Sequence, residues 1–457
     1  MSTVHLGRGS VVVEEPTDRL MSGLRRFKRN PDGSGEYEDV FTLSQSGDTL
    51  VTLPGFADRV LSLLENPKVI KEKSPMPKPD WDSALSGIDP VWHEVVKKAI
   101  RAGGGVIGIP EVLGTVEMAA ALIRAWPRDH LVERGTPLAV IAAKDREAGR
   151  RIALALRKIL PDRDIGISSS GSYTDSDDVI VTTYGSMDEV PLCVAGLFIG
   201  DDMPGVDFVS RAENVSMLRN AARYGFYVTA AGGCPGYGMD VEGLFGNLVA
   251  SATYADAIKG GVGVPVTVCW LPSPRPKMSL GSADVRVLEA MAMQNNPEFV
   301  DMVAHIVREV SPDVGCLVSA SNLALIKRVK EKMPELVECH RRLPAKGRRV
   351  ILEDISIGTV RKAIVSYGCF PLVTSHDVMI VANCGGADVA GERIPWRKKT
   401  HDGEKTYMVD FRHAWDVHNG RSGRLALNDE ARTRRYKELG FNQILVSDVA
   451  QLPFIGG

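Results

Sequence analysis

Apolar and polar positions alternate along this chain in two recurring blocks. Short apolar runs rich in Val, Ile and Ala predict strands at residues 11–13, 50–53, 106–109, 138–142, 179–182, 196–199, 227–230, 316–319, 363–366, 378–381 and 408–411. Longer stretches with helical spacing predict helices at 56–64, 91–101, 116–126, 146–159, 215–224, 298–310, 322–332 and 429–439. In 146–159, for instance, the apolar positions are Ile152, Leu154, Leu156 and Ile159. Residues 25–39 are polar and contain glycine, and they read as a loop. Strand and helix in repeated alternation predict an α/β class, with parallel sheets covered by helices on both faces. Ligands of such sheets sit beyond the carboxyl ends of the strands.

Pro75, Pro77 and Pro79 punctuate residues 74–80 as a linker. They divide the chain into an N-terminal accessory region (1–80), a first α/β domain (81–275) and a second (276–457). A length of 457 residues agrees with two domains and an appendage. With 44% apolar and 25% charged residues, the composition is that of an ordinary globular protein. The net charge of −2 gives no overall basic field, so any polyanion contact must be local. Basic runs occur at Arg341, Arg342, Lys346, Arg348 and Arg349, at Arg397 to Lys399, and at Arg432, Arg434, Arg435 and Lys437. Such runs are usually solvated surface; in a cleft they would follow a phosphate backbone. Seven scattered cysteines without a C-x-x-C pair argue against a disulfide framework or zinc site and for a reducing compartment. His413 and His418 read as structural rather than as metal ligands. With no signal-peptide pattern and no long apolar run, the expected location is cytoplasmic, with no membrane partner.

Candidate chemistry begins at residues 103–127, which read as a strand, a turn around Gly114 and a helix. Turn N–H groups and a helix N-terminus favour anions, so this architecture suits a phosphate. A phosphate loop, G-x-x-x-x-G-K-[ST], would carry a lysine and a hydroxyl after the second glycine, where this chain has Thr115 and Val116. Farther on, Val181, Thr182, Thr183, Tyr184 and Ser186 place short hydroxyl groups after a core strand, a pattern able to hold phosphates without reading sequence. Asp201 and Asp202 follow the apolar run Leu197, Phe198 and Ile199, and Thr229 lies in the predicted strand 227–230.

Taken in order, these landmarks resemble superfamily 2 DNA helicases of the phage recombination and repair type, over nearly the whole chain. The resemblance implies two tandem RecA-like parallel-sheet domains after an N-terminal accessory region. It places Gly114, Thr115 and Val116 on the phosphate loop. The acidic box falls on Asp201 and Asp202, with Asp201 as the Mg²⁺ ligand, and Thr229 marks the segment that couples hydrolysis to motion. Lys144, Thr183, Tyr184, Ser186, Arg348 and Arg349 are then the nucleic-acid contacts. The final motif covers Arg393 to Arg397, and the arginine-finger position holds Trp396, with Arg397 next to it. The adenine-reading glutamine is replaced by Trp92.

Three nucleotide contacts are thus altered together, which implies a degenerate helicase-like protein. Its expected role is an accessory one in DNA replication, recombination or repair. It would bind DNA, alone or beside an intact helicase or another replication or recombination protein, in the host cytoplasm if the gene is a phage's. No cofactor is certain on this reading. The alternatives are an active DNA-dependent ATPase using ATP and Mg²⁺, and a non-enzymatic scaffold subunit.

Overall fold

In the computed structural model the chain divides into two compact units, Met1–Ala252 and Thr253–Gly457. The structure describes residues 2–7, 10–29, 35–71, 79–110, 114–126, 139–168, 177–190, 192, 195–201, 222–229, 238–277, 285–366, 369, 376–383, 385, 403–418 and 421–455. Pro75 and Pro77 of the expected linker lie outside the described residues. Among the described residues no helix is long and apolar enough to cross a membrane.

Each unit is built on a seven-stranded sheet in which every pairing is parallel. Across the first sheet the order is Ile165–Ile167, Val179–Thr183, Ala139–Ala143, Leu197–Gly200, Ala222–Thr229, Gly105–Pro110, Leu248–Ser251. Across the second it is Val337–Cys339, Lys362–Ser366, Cys316–Ala320, Val378–Ala382, Thr406–Arg412, Val266–Pro272, Asn442–Leu445. Counted along the chain, both sheets run third, fourth, second, fifth, sixth, first, seventh. The central strands are buried at every position, which is why they read as continuous apolar runs rather than alternating ones. Val266–Pro272 is hydrogen-bonded within the second sheet, and the compact units meet between Ala252 and Thr253, whereas the sequence reading kept residues up to 275 in the first domain.

Two local expectations are corrected. Residues 222–224 belong to the strand Ala222–Thr229, not to a helix over 215–224, whose earlier residues lie outside the described set. Leu197–Gly200 and Gly105–Pro110 flank that strand on both sides, and the central position overrides its weak helical spacing. Residues 25–39 are a hairpin rather than a loop: Arg25–Arg29 pairs antiparallel with Gly35–Asp39. Arg25 pairs with Asp39 and Arg26 with Glu38 across its register, so charged positions stand where a strand's apolar alternation would otherwise announce it.

The N-terminal region also forms a five-stranded sheet, ordered Phe41–Leu43, Thr49–Thr52, Val11–Glu14, Thr3–Leu6, Lys68–Lys71. Its inward residues Val4, Val11, Val13 and Leu50 pack with Leu20, Phe56 and Val60 from the helices Asp18–Gly23 and Ala57–Leu63 and the turn before the latter. This small core grips the helix Met239–Phe245. Gly55 lies against the backbone of that helix, where a Cβ would collide with the Glu242 carbonyl oxygen. Arg59 holds the Glu242 carboxylate with two bonds, Nε–Oε1 2.8 Å and Nη2–Oε2 2.5 Å. Arg26 reaches Asp240 at 2.5 Å, and the Asn247 amide donates to Asp58 at 2.6 Å.

The second unit is fastened by a buried charge network. Arg432, on the helix Arg424–Glu438, has no solvent exposure, although the sequence places it in a basic run that would ordinarily be solvated. Its guanidinium binds Asp410 through Nε at 2.9 Å and Nη2 at 3.1 Å, Asp429 at 2.9 Å, and the carbonyls of Phe411 and Gly385. The Tyr436 hydroxyl donates to Asp410 at 2.7 Å, and His413 Nδ1 lies 3.0 Å from Asp429. His413 is buried in this network. Burial raises the Asp410 pKa, and the Arg432 guanidinium and Tyr436 hydroxyl work against that rise. Removing one partner of such a network strands a buried charge. Arg432→Leu is expected to destabilise the second unit by about 3–5 kcal/mol. Hydrogen exchange of the strand Thr406–Arg412 reads this directly, and wild-type protection in the variant would contradict it.

Candidate functional site

Parallel pairing brings the sequence-predicted residues of the first unit to one edge of its sheet. Gly105–Pro110, Ala222–Thr229, Leu197–Gly200, Ala139–Ala143 and Val179–Thr183 are consecutive neighbours. Their carboxyl ends carry, in that order, the turn at Gly114, then Thr229, Asp201, Lys144 and Thr183. Thr229 pairs with Pro110 in the register, so its backbone adjoins the strand that leads into the glycine turn.

Gly114 opens the helix Thr115–Ala125 with φ +70°, a left-handed value that glycine adopts without steric cost. Thr115 and Val116 occupy the first helical positions and are half-buried. Glu117 folds back over Gly114: a Cβ at Gly114 would collide with Glu117 Oε2 and lie 2.8 Å from its Cδ. The carboxylate thus lies beside the amino end of the helix, where the exposed N–H groups favour negative charge. The sequence reading missed this residue, because the spacing of Gly114 and Glu117 does not say where the carboxylate turns.

Asp201 follows Leu197–Gly200 and is 9% exposed, and its N–H donates to the Ala142 carbonyl at 2.9 Å. The Tyr184 hydroxyl donates to the Asp201 carbonyl at 3.1 Å. Between them lies Gly200, where a Cβ would come within 2.7 Å of both Phe245 Cζ and the Tyr184 hydroxyl. Phe245 also stacks on Phe198, with centroids 6.0 Å apart and planes 11° apart. The backbone before Asp201 is thus seated in a slot made by Tyr184 on one side and Phe245 on the other.

Thr183 and Tyr184 are buried, Ser186 is half-buried, and Lys144 is exposed. Thr182, within the strand Val179–Thr183, receives a hydrogen bond from Ser168 at 2.7 Å and lies 3.2 Å from the Ser186 carbonyl. Arg348 and Arg349 belong to the second unit, on the helix Ala345–Ile357, where Arg349 is exposed and Arg348 half-buried with a bond to the Arg341 carbonyl. Asp202, Arg393 and Arg397 lie outside the described residues, as does the side chain of Thr229. Among the described residues, no group of three or more His, Cys, Asp or Glu side chains is arranged to hold a metal ion.

The slot around Gly200 makes a stability prediction. Adding a methyl group by Gly200→Ala forces Phe245 or Tyr184 to move, at an expected cost of about 1–3 kcal/mol to the first unit. Thermal unfolding measures it, and an unchanged midpoint would show that the slot yields freely.

Comparison with known proteins bears on the fold. No protein-family model matches the chain, and no curated protein matches its sequence. Solved structures do match. S. cerevisiae Dbp5 bound to Gle1 and IP6 has a TM-score of 0.53 at 11% identity, over 81% of this chain and 93% of that one. Dbp5 bound to RNA and ADP BeF3 has a TM-score of 0.50 at 11% identity, over 82% and 98%. UvsW of bacteriophage T4 is matched at 13% identity over 98% of this chain and 99% of that one, with a TM-score of 0.42. The two Dbp5 matches and the paired parallel sheets together establish the architecture: this chain has the tandem RecA-like fold of those helicase structures.

Proposed function

We propose that this protein is a helicase-like nucleic-acid-binding protein of superfamily 2 type whose first domain no longer turns over ATP efficiently. Its place would be that of an accessory subunit in DNA replication, recombination or repair. The nucleic-acid part of the reading draws on the shared fold; Dbp5, similarly folded, is bound to RNA and ADP BeF3 in one of the matched structures. The carrying observation for the loss of turnover is Glu117 lying over Gly114.

In a working site the phosphates of ATP would occupy that amino end, with a lysine to neutralise them and a hydroxyl on Mg²⁺. Here Thr115 and Val116 supply neither a cation nor, at the second position, an oxygen. Glu117 instead brings negative charge to the place the phosphates would take. Two unit charges at about 4 Å repel by about 4 kcal/mol at an effective dielectric of about 20, roughly a thousandfold in affinity. These residues do not fit ATP with Mg²⁺. The alternative, an active ATPase, rests on Asp201 and Thr229, which close neighbouring strands.

Nucleotide binding separates the two. The wild type is expected to bind ATP weakly. Thr115→Lys with Val116→Thr, combined with Glu117→Gln, is expected to gain at least tenfold, because the strand–turn–helix frame is retained. A steady-state assay with single- and double-stranded DNA and RNA completes the test. Turnover of ~1 s⁻¹ or faster in the wild type, abolished by Asp201→Ala, would refute the loss of activity and favour the alternative.

A further inference from the structure

The helix Arg146–Ile159 packs on the first sheet through one face and turns a differently built face outward. Its buried positions are Ala148, Gly149, Ile152, Ala153 and Leu156, and Gly149 sits against Val181 of the strand below. On the outer side Leu154 is 47% exposed. With 3.6 residues per turn, the nearest neighbours of Leu154 on that surface lie three and four residues before and after it. All four are exposed cations: Arg150, Arg151, Arg157 and Lys158. The two pairs stand seven residues apart, about 10 Å along the axis.

A single exposed leucine is ordinary surface, and so is a cationic carboxyl end of a helix. Part of the ring has that explanation. Arg157 donates to the Ile165 carbonyl at 2.6 Å and, with Lys158, lies in the last turn, where cations offset the helix dipole. Arg150 and Arg151 stand in the middle of the helix, and among the described residues neither has an ion-pair partner. The carboxylates nearby are engaged or set apart. Asp145 caps the helix by accepting from the Ala148 N–H at 2.8 Å, and Asp162 lies 3.6 Å from Arg163. Glu147, one turn before Arg150, is the only carboxylate of the helix, and Asp164 belongs to the loop that follows it. Residues 144–164 hold seven cations against four carboxylates, and none of the four falls between Arg150 and Lys158. The centre of this face is therefore apolar and both its ends are positive.

That arrangement narrows the occupant. A phosphate backbone would satisfy the cations but leave Leu154 against sugar and phosphate, and an aliphatic side chain offers no ring for a base to stack on. An apolar centre rimmed by charge is instead the plan of a protein interface, with carboxylates opposite the rim. We propose that this helix face docks an acidic helix of a partner protein. An apolar residue of the partner would lie against Leu154, with carboxylates on Arg150 and Arg151 to one side and on Arg157 and Lys158 to the other. On such a helix the carboxylates fall three and four residues to either side of the apolar residue, the same spacing in opposite charge. The site goes beyond the proposed function, since it uses neither the strand ends nor a nucleotide or nucleic acid.

A synthetic alanine-rich peptide tests this by fluorescence anisotropy with the full chain. It is about 18 residues long, enough to hold a helix, with one central leucine and glutamates three and four residues to either side. The wild type should bind it about tenfold more tightly than a scrambled peptide of equal composition, because only the spacing differs. Arg150→Glu/Arg151→Glu should lose about tenfold in affinity and Leu154→Ser about fivefold. Both variants should keep the wild-type melting temperature, since all three side chains are exposed. A second peptide, with lysines replacing the glutamates on one side of the leucine, should invert the order and bind Arg150→Glu/Arg151→Glu more tightly than the wild type. A wild type that binds the spaced and scrambled peptides alike overturns the docking site. Loss of affinity for a labelled DNA oligonucleotide in Arg150→Glu/Arg151→Glu would then assign the face to a phosphate backbone. Variants that bind the first peptide as tightly as the wild type overturn the proposal as well.

Discussion

Everything at the candidate site follows from the requirement that a parallel strand return by a crossover. A strand buried on both faces can pair in parallel only if the chain leaves at its carboxyl end and re-enters at the opposite edge. Seven such strands place every outgoing loop on one side. Thr183, Asp201 and Thr229, distant in sequence from Gly114, share an edge for that reason and not through direct attraction. The second sheet repeats the same strand order, so the two units differ in what the loops carry. After the fifth strand the first unit has a carboxylate, Asp201, whereas the second has Asn383, whose side-chain oxygen accepts from the Gly385 N–H at 2.8 Å. One frame serves a charged strand end in one case and a neutral turn in the other.

Close packing then fixes how these loops begin. Gly200 has no side chain because two rings already occupy the space, and Tyr184 adds a hydrogen bond to the residue that follows. In the second unit the corresponding fastening is ionic. Arg432 gathers Asp410, Asp429 and the Gly385 carbonyl around one guanidinium, which joins a strand, a helix and the turn after a neighbouring strand. A buried ion pair of this kind adds little net stability compared with apolar packing, but it tolerates few alternative arrangements.

The sheets were legible in the sequence because strands buried on both faces leave unbroken apolar runs, as at Val179–Thr183 and Val378–Ala382. The hairpin was not legible, because its strands pair charge with charge and hide no apolar face. Neither was the burial of Arg432, since a basic run looks the same whether its members meet water or a carboxylate from a strand some twenty residues earlier. At the candidate site, the order of landmarks could be read, but the orientation of Tyr184 could not: its hydroxyl faces the site's own backbone. Glu117 stands three residues after Gly114 in the sequence, but nothing in that spacing says that its carboxylate turns back over the glycine.

The grip of the N-terminal core on the helix Met239–Phe245 changes what counts as a separable part of this molecule. Glu242 is almost inaccessible and has both carboxylate oxygens on Arg59, while Met239 packs into the N-terminal core itself. Cutting the chain near residue 80 would leave a buried anion without its cation and an apolar surface open to water. The first seventy or so residues and the sheet beside them therefore form a single cooperative foldon. Protease nicking at the intervening segment should release no free fragment, and substitutions on either side of the Gly55 contact are constrained to vary together.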